Sequence, residues 1–135
     1  MKKKDIWQLV LPFITAIGAI TAGFGLVSDP TGSSVGLPLS LLDGTVFSSY
    51  LIPGLCLLGI IGFGHLFVCF VMWKRGSRAW FYLGSVGIVL MGWIIIQVLL
   101  IGYCSPLQPI FLAVGLIELI GALLWKKRCL NKVKL

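Results

Sequence analysis

The chain has 135 residues, of which 59% are hydrophobic and 11% charged, and a formal net charge of +7. Soluble domains carry roughly 25% charged residues, so this composition excludes a water-soluble globular domain and makes lipid the expected solvent for most of the chain. The eleven Lys and Arg residues fall into three clusters that flank apolar stretches, which argues against nucleic acid as a partner and for anionic lipid head groups.

Lys2, Lys3 and Lys4 open the chain and precede a first apolar run, about 6–27. A basic start followed by an apolar run is also how a secretory signal begins. Here Asp5 interrupts the basic region, the run exceeds the usual 7–15 residues, and no A-x-A site follows. The run is expected to be an uncleaved first span. Thr15, Gly18, Ala22 and Gly25 share one of its faces at 100° per residue.

The segment 28–48 follows. Its first part is turn-forming; its second is apolar but broken by Pro38 and by Asp43-Gly44. It is too short and too interrupted to span. An ordered element on the outer side is expected, either a lid or hairpin over the bundle or a plug on the helix ends. Asp-Gly favours a defined turn with the Asp43 carboxylate presented.

Residues 49–73 form the second expected span, with Gly59, Gly62 and Cys69 on one face and His65 within it. Lys74, Arg75 and Arg78 mark a short basic turn. The third span, 79–103, carries Gly84, Ser85 and Gly92 on its small face, with Gln97 near its far end. After a turn at 104–107, the fourth span, 108–125, carries Glu118 between Gly115 and Gly121-Ala122. A basic tail, 126–135, closes the chain. Its Lys126, Lys127, Arg128, Lys132 and Lys134 are expected to contact anionic lipid at the cytoplasmic face. Cys129 there is either a lipid acceptor or an ordinary thiol.

Positive flanks resist translocation. The clusters therefore predict an all-α membrane protein: four transmembrane helices in an antiparallel bundle, both termini cytoplasmic, and an extracellular segment between helices 1 and 2. Trp7, Trp73, Trp80 and Trp125 would mark one interface, Tyr50 and Tyr103 the other. Small-residue stripes on all four spans imply close helix packing, since lipid tails give helices no hydrophobic reason to associate.

Polar residues inside the spans are few. His65 stands eight residues before Trp73, and Glu118 seven before Trp125, which puts both about 10–12 Å from the cytoplasmic edge. They are expected to face the bundle interior and to meet. Such a pair relays a proton, binds a cation or holds a polar substrate group, or simply locks two helices in register. One His and one Glu do not make a metal site, and no cofactor is implied. Gln97, Tyr103, Gln108 and Asp43 are expected to line an outer polar pocket; the alternative is interhelical bonding by Gln97 and interfacial anchoring by Tyr103. No two of Cys56, Cys69, Cys104 and Cys129 make a CxxC pair.

The stretch from Trp93-Ile-Ile-Ile-Gln97 to Tyr103 is followed by Ser105-Pro-Leu-Gln-Pro109. With Gly36-Leu-Pro-Leu39, Asp43-Gly-Thr45 and Leu51-Ile-Pro-Gly54, it resembles uncharacterised small bacterial four-span integral membrane proteins over about 29–125. The resemblance implies the topology and a bacterial cell membrane, and brings no catalytic residue. Small multidrug-type carriers are also four-span but place their key carboxylate in the first span; here span one has none. Three functions are therefore expected, in this order. The first is a non-enzymatic accessory, immunity or regulatory subunit, with a membrane-protein partner or as a homo-oligomer. The second is an oligomeric carrier or channel using His65 and Glu118. The third is a membrane enzyme acting on a lipid or quinone.

Overall fold

A computed structural model describes residues 6–74 and 78–134. Lys2, Lys3, Lys4, the centre of the basic turn at 75–77 and Leu135 lie outside the described residues. Four helices carry the rest: α1 Trp7–Ser28, α2 Leu51–Trp73, α3 Ala79–Ile101 and α4 Leu107–Val133, each long and apolar enough to cross a membrane. Among the described residues there is no strand.

The helix ends follow from local chemistry. Gly102 at φ 71° and ψ −173° stops α3, because a residue without Cβ takes this extended positive-φ backbone, which breaks the helical run. Pro53 and Pro109 sit in the first turns of α2 and α4, where a missing N–H costs nothing. Pro12 is inside α1 and deprives the Gln8 carbonyl of its usual partner. The fourth span was expected to end at Trp125, but α4 runs on to Val133. Hydropathy marks where lipid would end, not where the helix ends, and Lys132 in the last turn suits the negative end of the helix dipole.

Small residues face inward and large apolar ones outward. Ile14, Phe24, Ile60, Phe70 and Leu99 are all more than half exposed, the reverse of a water-soluble domain. Inside, α1 packs along α2, and α3 packs along α4. A Cβ on Gly87 would come 2.7 Å from the Gly115 carbonyl oxygen, and one on Gly84 3.3 Å from Ala122. In the same way Gly23 of α1 lies against Leu58, Gly54 against Leu26 and Gly62 against Ile20. Three apolar layers fill the interior: Val68, Met72, Leu83 and Ala122 near the chain termini, Ala19, Ile61, Leu90 and Ile94 in the middle, and Leu26, Leu42 and Tyr50 at the opposite end.

Two of the expected packing glycines are not used. Gly59 and Gly92 face open space, while Gly23 and Gly87, absent from the expected stripes, approach a neighbouring helix as closely as the expected Gly62 and Gly115 do. For α2 the cause is a π-helical stretch, Leu57–Phe63. Its wider turns advance less than 100° per residue. Leu58, not Gly59, is thereby turned toward α1.

The segment between α1 and α2 is ordered by its own hydrogen bonds. It contains two single turns of 3₁₀ helix, Ser33–Val35 and Leu39–Leu42. Asp29 closes α1 and accepts from the Thr31 hydroxyl at 2.6 Å and from the Ser34 N–H at 3.2 Å. The Thr31 hydroxyl bond, helped by the Thr31 and Ser34 amides against a smaller desolvation effect, holds the Asp29 carboxyl below its ordinary 3.8. Tyr50, expected as an interfacial anchor, is instead 3% exposed and donates its hydroxyl to the Pro38 carbonyl at 2.8 Å.

Both ties are testable by amide exchange. Tyr50→Phe removes one neutral bond, about 1 kcal/mol, and should speed exchange across 36–47 about fivefold while leaving α1 unchanged. Asp29 has a lowered folded pKa, so its bonds stabilise the turn above the unfolded value and are lost as pH falls through the folded one. Exchange at 31–36 should therefore rise, after correction for intrinsic rates, only below about pH 4. Unchanged exchange in both experiments would mean that neither bond holds the segment.

Candidate functional site

The polar interior is built from α1, α2 and α4. Glu118 follows Gly115 by one turn and precedes Gly121 by another, so it lies on the small-residue face that α4 presents to its neighbours. His65 stands two residues after the π-helical stretch, on the face of α2 that carries Ile61, Val68 and Cys69. The two side chains are 0% and 1% exposed, and His65 Nε2 lies 3.2 Å from Glu118 Oε2.

The second ring nitrogen fixes the chemistry. His65 Nδ1 is 2.7 Å from the Ile61 carbonyl oxygen. A carbonyl can only accept, so Nδ1 carries a hydrogen and donates it. The widened turn of a π-helix disturbs the regular carbonyl pairing, and His65 supplies the Ile61 carbonyl with a side-chain donor. The contact between Nε2 and Oε2 then requires one proton between them. Either imidazolium faces carboxylate, or neutral imidazole accepts from the carboxylic acid. The pair can exchange its charge distribution without changing its total charge.

Two further polar atoms lie buried without a hydrogen-bond partner nearby. Among the described residues Glu118 Oε1 has none, and neither does Gln8 Oε1. Gln8 is 3% exposed and its Nε2 donates to the Gly121 carbonyl at 3.2 Å, tying α1 to α4 one turn beyond Glu118. Sequence reasoning missed Gln8, because it stands beside the basic start and reads as part of the flank. The available signal was Pro12 four residues on, which frees a carbonyl inside α1. Thr15 is 2% exposed and donates to the Leu11 carbonyl of its own helix. Cys69, also buried, lies one turn after His65 with its thiol 4.0 Å from the Leu9 carbonyl. Among the described residues no three of His, Cys, Asp and Glu are placed to hold a metal ion together.

The expected outer polar pocket does not form as a group. Asp43 is exposed in its turn, and Tyr103 is 69% exposed. Gln108 is buried, but its side chain closes the turn into α4, accepting from the Cys104 N–H at 3.0 Å and donating to the Gly102 carbonyl at 3.3 Å. The helix break at Gly102 leaves backbone groups outside the helical pairing, and Gln108 is within reach of two of them. Gln97 alone lines a cavity there, and the cavity is apolar: Leu26, Leu42, Tyr50, Cys56 and Trp93 surround it.

The basic tail is helical up to Val133. Lys126, Lys127, Lys132 and Lys134 are exposed, Lys126 lies over the Trp80 ring at 5.1 Å, and Arg128 is half-buried. The tail thus presents exposed cations, one of them stacked on an aromatic ring. No protein-family model matches this chain, and neither curated proteins nor solved structures show significant similarity to it.

Proposed function

We propose that the protein is a non-enzymatic, multi-pass subunit of a bacterial cell membrane, acting as an accessory, immunity or regulatory partner of another membrane protein or of itself. One observation carries this reading: its ionisable interior is closed. His65 and Glu118 are at most 1% exposed and bonded to each other, and His65 is tied to its own helix as well. A pair so enclosed fixes the register of α2 against α4. The surface left for recognition is the apolar outside and the segment between α1 and α2, where Val46 projects at 89% exposure.

The helices run antiparallel in this reading, supported by contacts such as Gly84 with Ala122 and Gly115 with Met91, which progress in opposite chain directions. The basic clusters place both termini and the 74–78 turn in the cytoplasm, with Lys126, Lys127, Arg128, Lys132 and Lys134 on anionic lipid. The resemblance to small bacterial four-span proteins belongs to the same proposal. An impermeant thiol reagent applied to intact cells should label Ser33→Cys and spare Ser77→Cys. The reverse pattern would invert the topology.

A second reading, a small carrier, draws on Glu118 Oε1, a buried oxygen without a partner. One experiment separates the two. Liposomes containing the protein and a trapped pH dye should show no proton flux above empty vesicles between pH 5.5 and 8 if it is an accessory subunit. Flux that disappears in Glu118→Gln would establish the carrier instead.

A further inference from the structure

The cavity beneath the 28–50 segment has properties that the closed His65–Glu118 pair does not explain. It measures about 100 Å³ and lies between α1, α2 and α3, with Leu37, Leu42 and Phe47 of the segment over it. Its walls are apolar. Three of its lining residues, Ile52, Ile96 and Leu100, are 56%, 51% and 40% exposed on the outside of the bundle. On the membrane reading above, that outside is lipid, so the cavity opens sideways into one leaflet.

Two of its lining residues carry polar groups that make no hydrogen bond among the described residues. The Trp93 indole N–H is buried without an acceptor. Gln97, half-buried, is one turn further along the same face of α3, and its amide has no bond of the kind that ties the buried amides Gln8 and Gln108. Unpaired donors in an apolar setting are costly. An apolar cavity of this kind stays dry and accepts an apolar guest, so water is a poor answer to both. Depth narrows the guest. Gln97 lies four residues before the end of α3 at Ile101, roughly 6 Å in, where the hydrocarbon gives way to the interfacial region. Ester carbonyls of membrane lipids occupy that boundary. The cavity is smaller than the roughly 150 Å³ that holds a benzene ring. It suits a stretch of acyl chain better than a substituted ring.

We propose that this cavity is a lipid site. One acyl chain of a glycerolipid from the adjacent leaflet enters between α2 and α3, and its ester carbonyl accepts from Gln97. The Leu37–Phe47 segment, bolted by Tyr50 to Pro38, closes over the chain. Cys56 lines the cavity as a half-buried thiol and reports on it directly.

The test uses the full chain in phosphatidylcholine vesicles with a trace of phosphatidylcholine bearing a diazirine in its upper acyl chain. Adducts should concentrate on Cys56, Leu57 and Trp93, at least fivefold over Ile17 and Phe24, which face outward on α1. Cys56→Phe fills the cavity and should remove this preference while leaving the α1 adducts unchanged. A second measurement needs no variant. Added phosphatidylcholine should slow maleimide alkylation of Cys56 in detergent severalfold and leave Cys104 unaffected, and Gln97→Leu should weaken that protection. Adducts spread evenly over the outward residues, or alkylation of Cys56 indifferent to phosphatidylcholine, would overturn the proposal. So would protection by an isoprenyl benzoquinone but not by phospholipid.

Discussion

His65→Leu should be among the most damaging single changes to this fold, and Glu118→Leu should match it. Each leaves one member of the 3.2 Å pair buried and unpartnered. Removing one partner of a buried pair costs about 3–5 kcal/mol in soluble proteins, and single interhelical hydrogen bonds in membranes cost less. A loss of about 2–3 kcal/mol lies between these limits. For a chain of this size it would lower the unfolding midpoint in detergent by on the order of 5–10 °C. The double variant His65→Leu/Glu118→Leu should recover at least half of that loss, because two apolar side chains leave no orphaned polar group. Glu118→Gln should stay within about 1 kcal/mol of the parent: its amide can donate to the same ring nitrogen that Glu118 meets. Circular dichroism melts of the four variants check this. Equal losses in the single and double variants would mean that the pair does not couple α2 to α4.

Glycine substitutions should separate sharply into two groups, though their sequence surroundings look alike. Gly87→Ala places a methyl 2.7 Å from the Gly115 carbonyl oxygen, and Gly23→Ala places one 2.7 Å from the Leu58 backbone nitrogen. In both cases backbone, not a movable side-chain tip, stands in the way. The helices must separate, at about 1–3 kcal/mol for overpacking. Gly59→Ala and Gly92→Ala meet nothing within 4 Å. They should be neutral or stabilise by up to about 1 kcal/mol through helix propensity. Thermal midpoints in detergent decide the matter. Gly59→Ala as harmful as Gly23→Ala would contradict the π-helical register of α2.

The His65–Glu118 meeting was legible because it needs only two inferences, equal depth and an inward face. Depth follows from counting back to Trp73 and Trp125, and the face from Gly62, Cys69, Gly115 and Gly121. Both survive a local change of helical pitch, since His65 lies after the π stretch. The polar pocket expected from Asp43, Gln97, Tyr103 and Gln108 failed for a related reason. Proximity in depth does not place side chains on one wall. Gln108 is drawn to the backbone at Gly102, Tyr103 turns outward, and Tyr50, not Asp43, ties down the segment. Gln8 was hidden because its partner, the Gly121 carbonyl, is a backbone group that no side-chain pattern advertises.

Composition and charge clustering by themselves determined that four long apolar helices would form, and nearly where each begins, because the period and length of apolar runs are local properties of the chain. Which glycines touch, where α2 widens, how far α4 continues past its apolar part, and what covers the cavity beside Gln97 were decided only when the helices packed. Close packing is set by backbone approaching backbone across helices distant in sequence, and a shift of one residue in one of them changes every contact it makes.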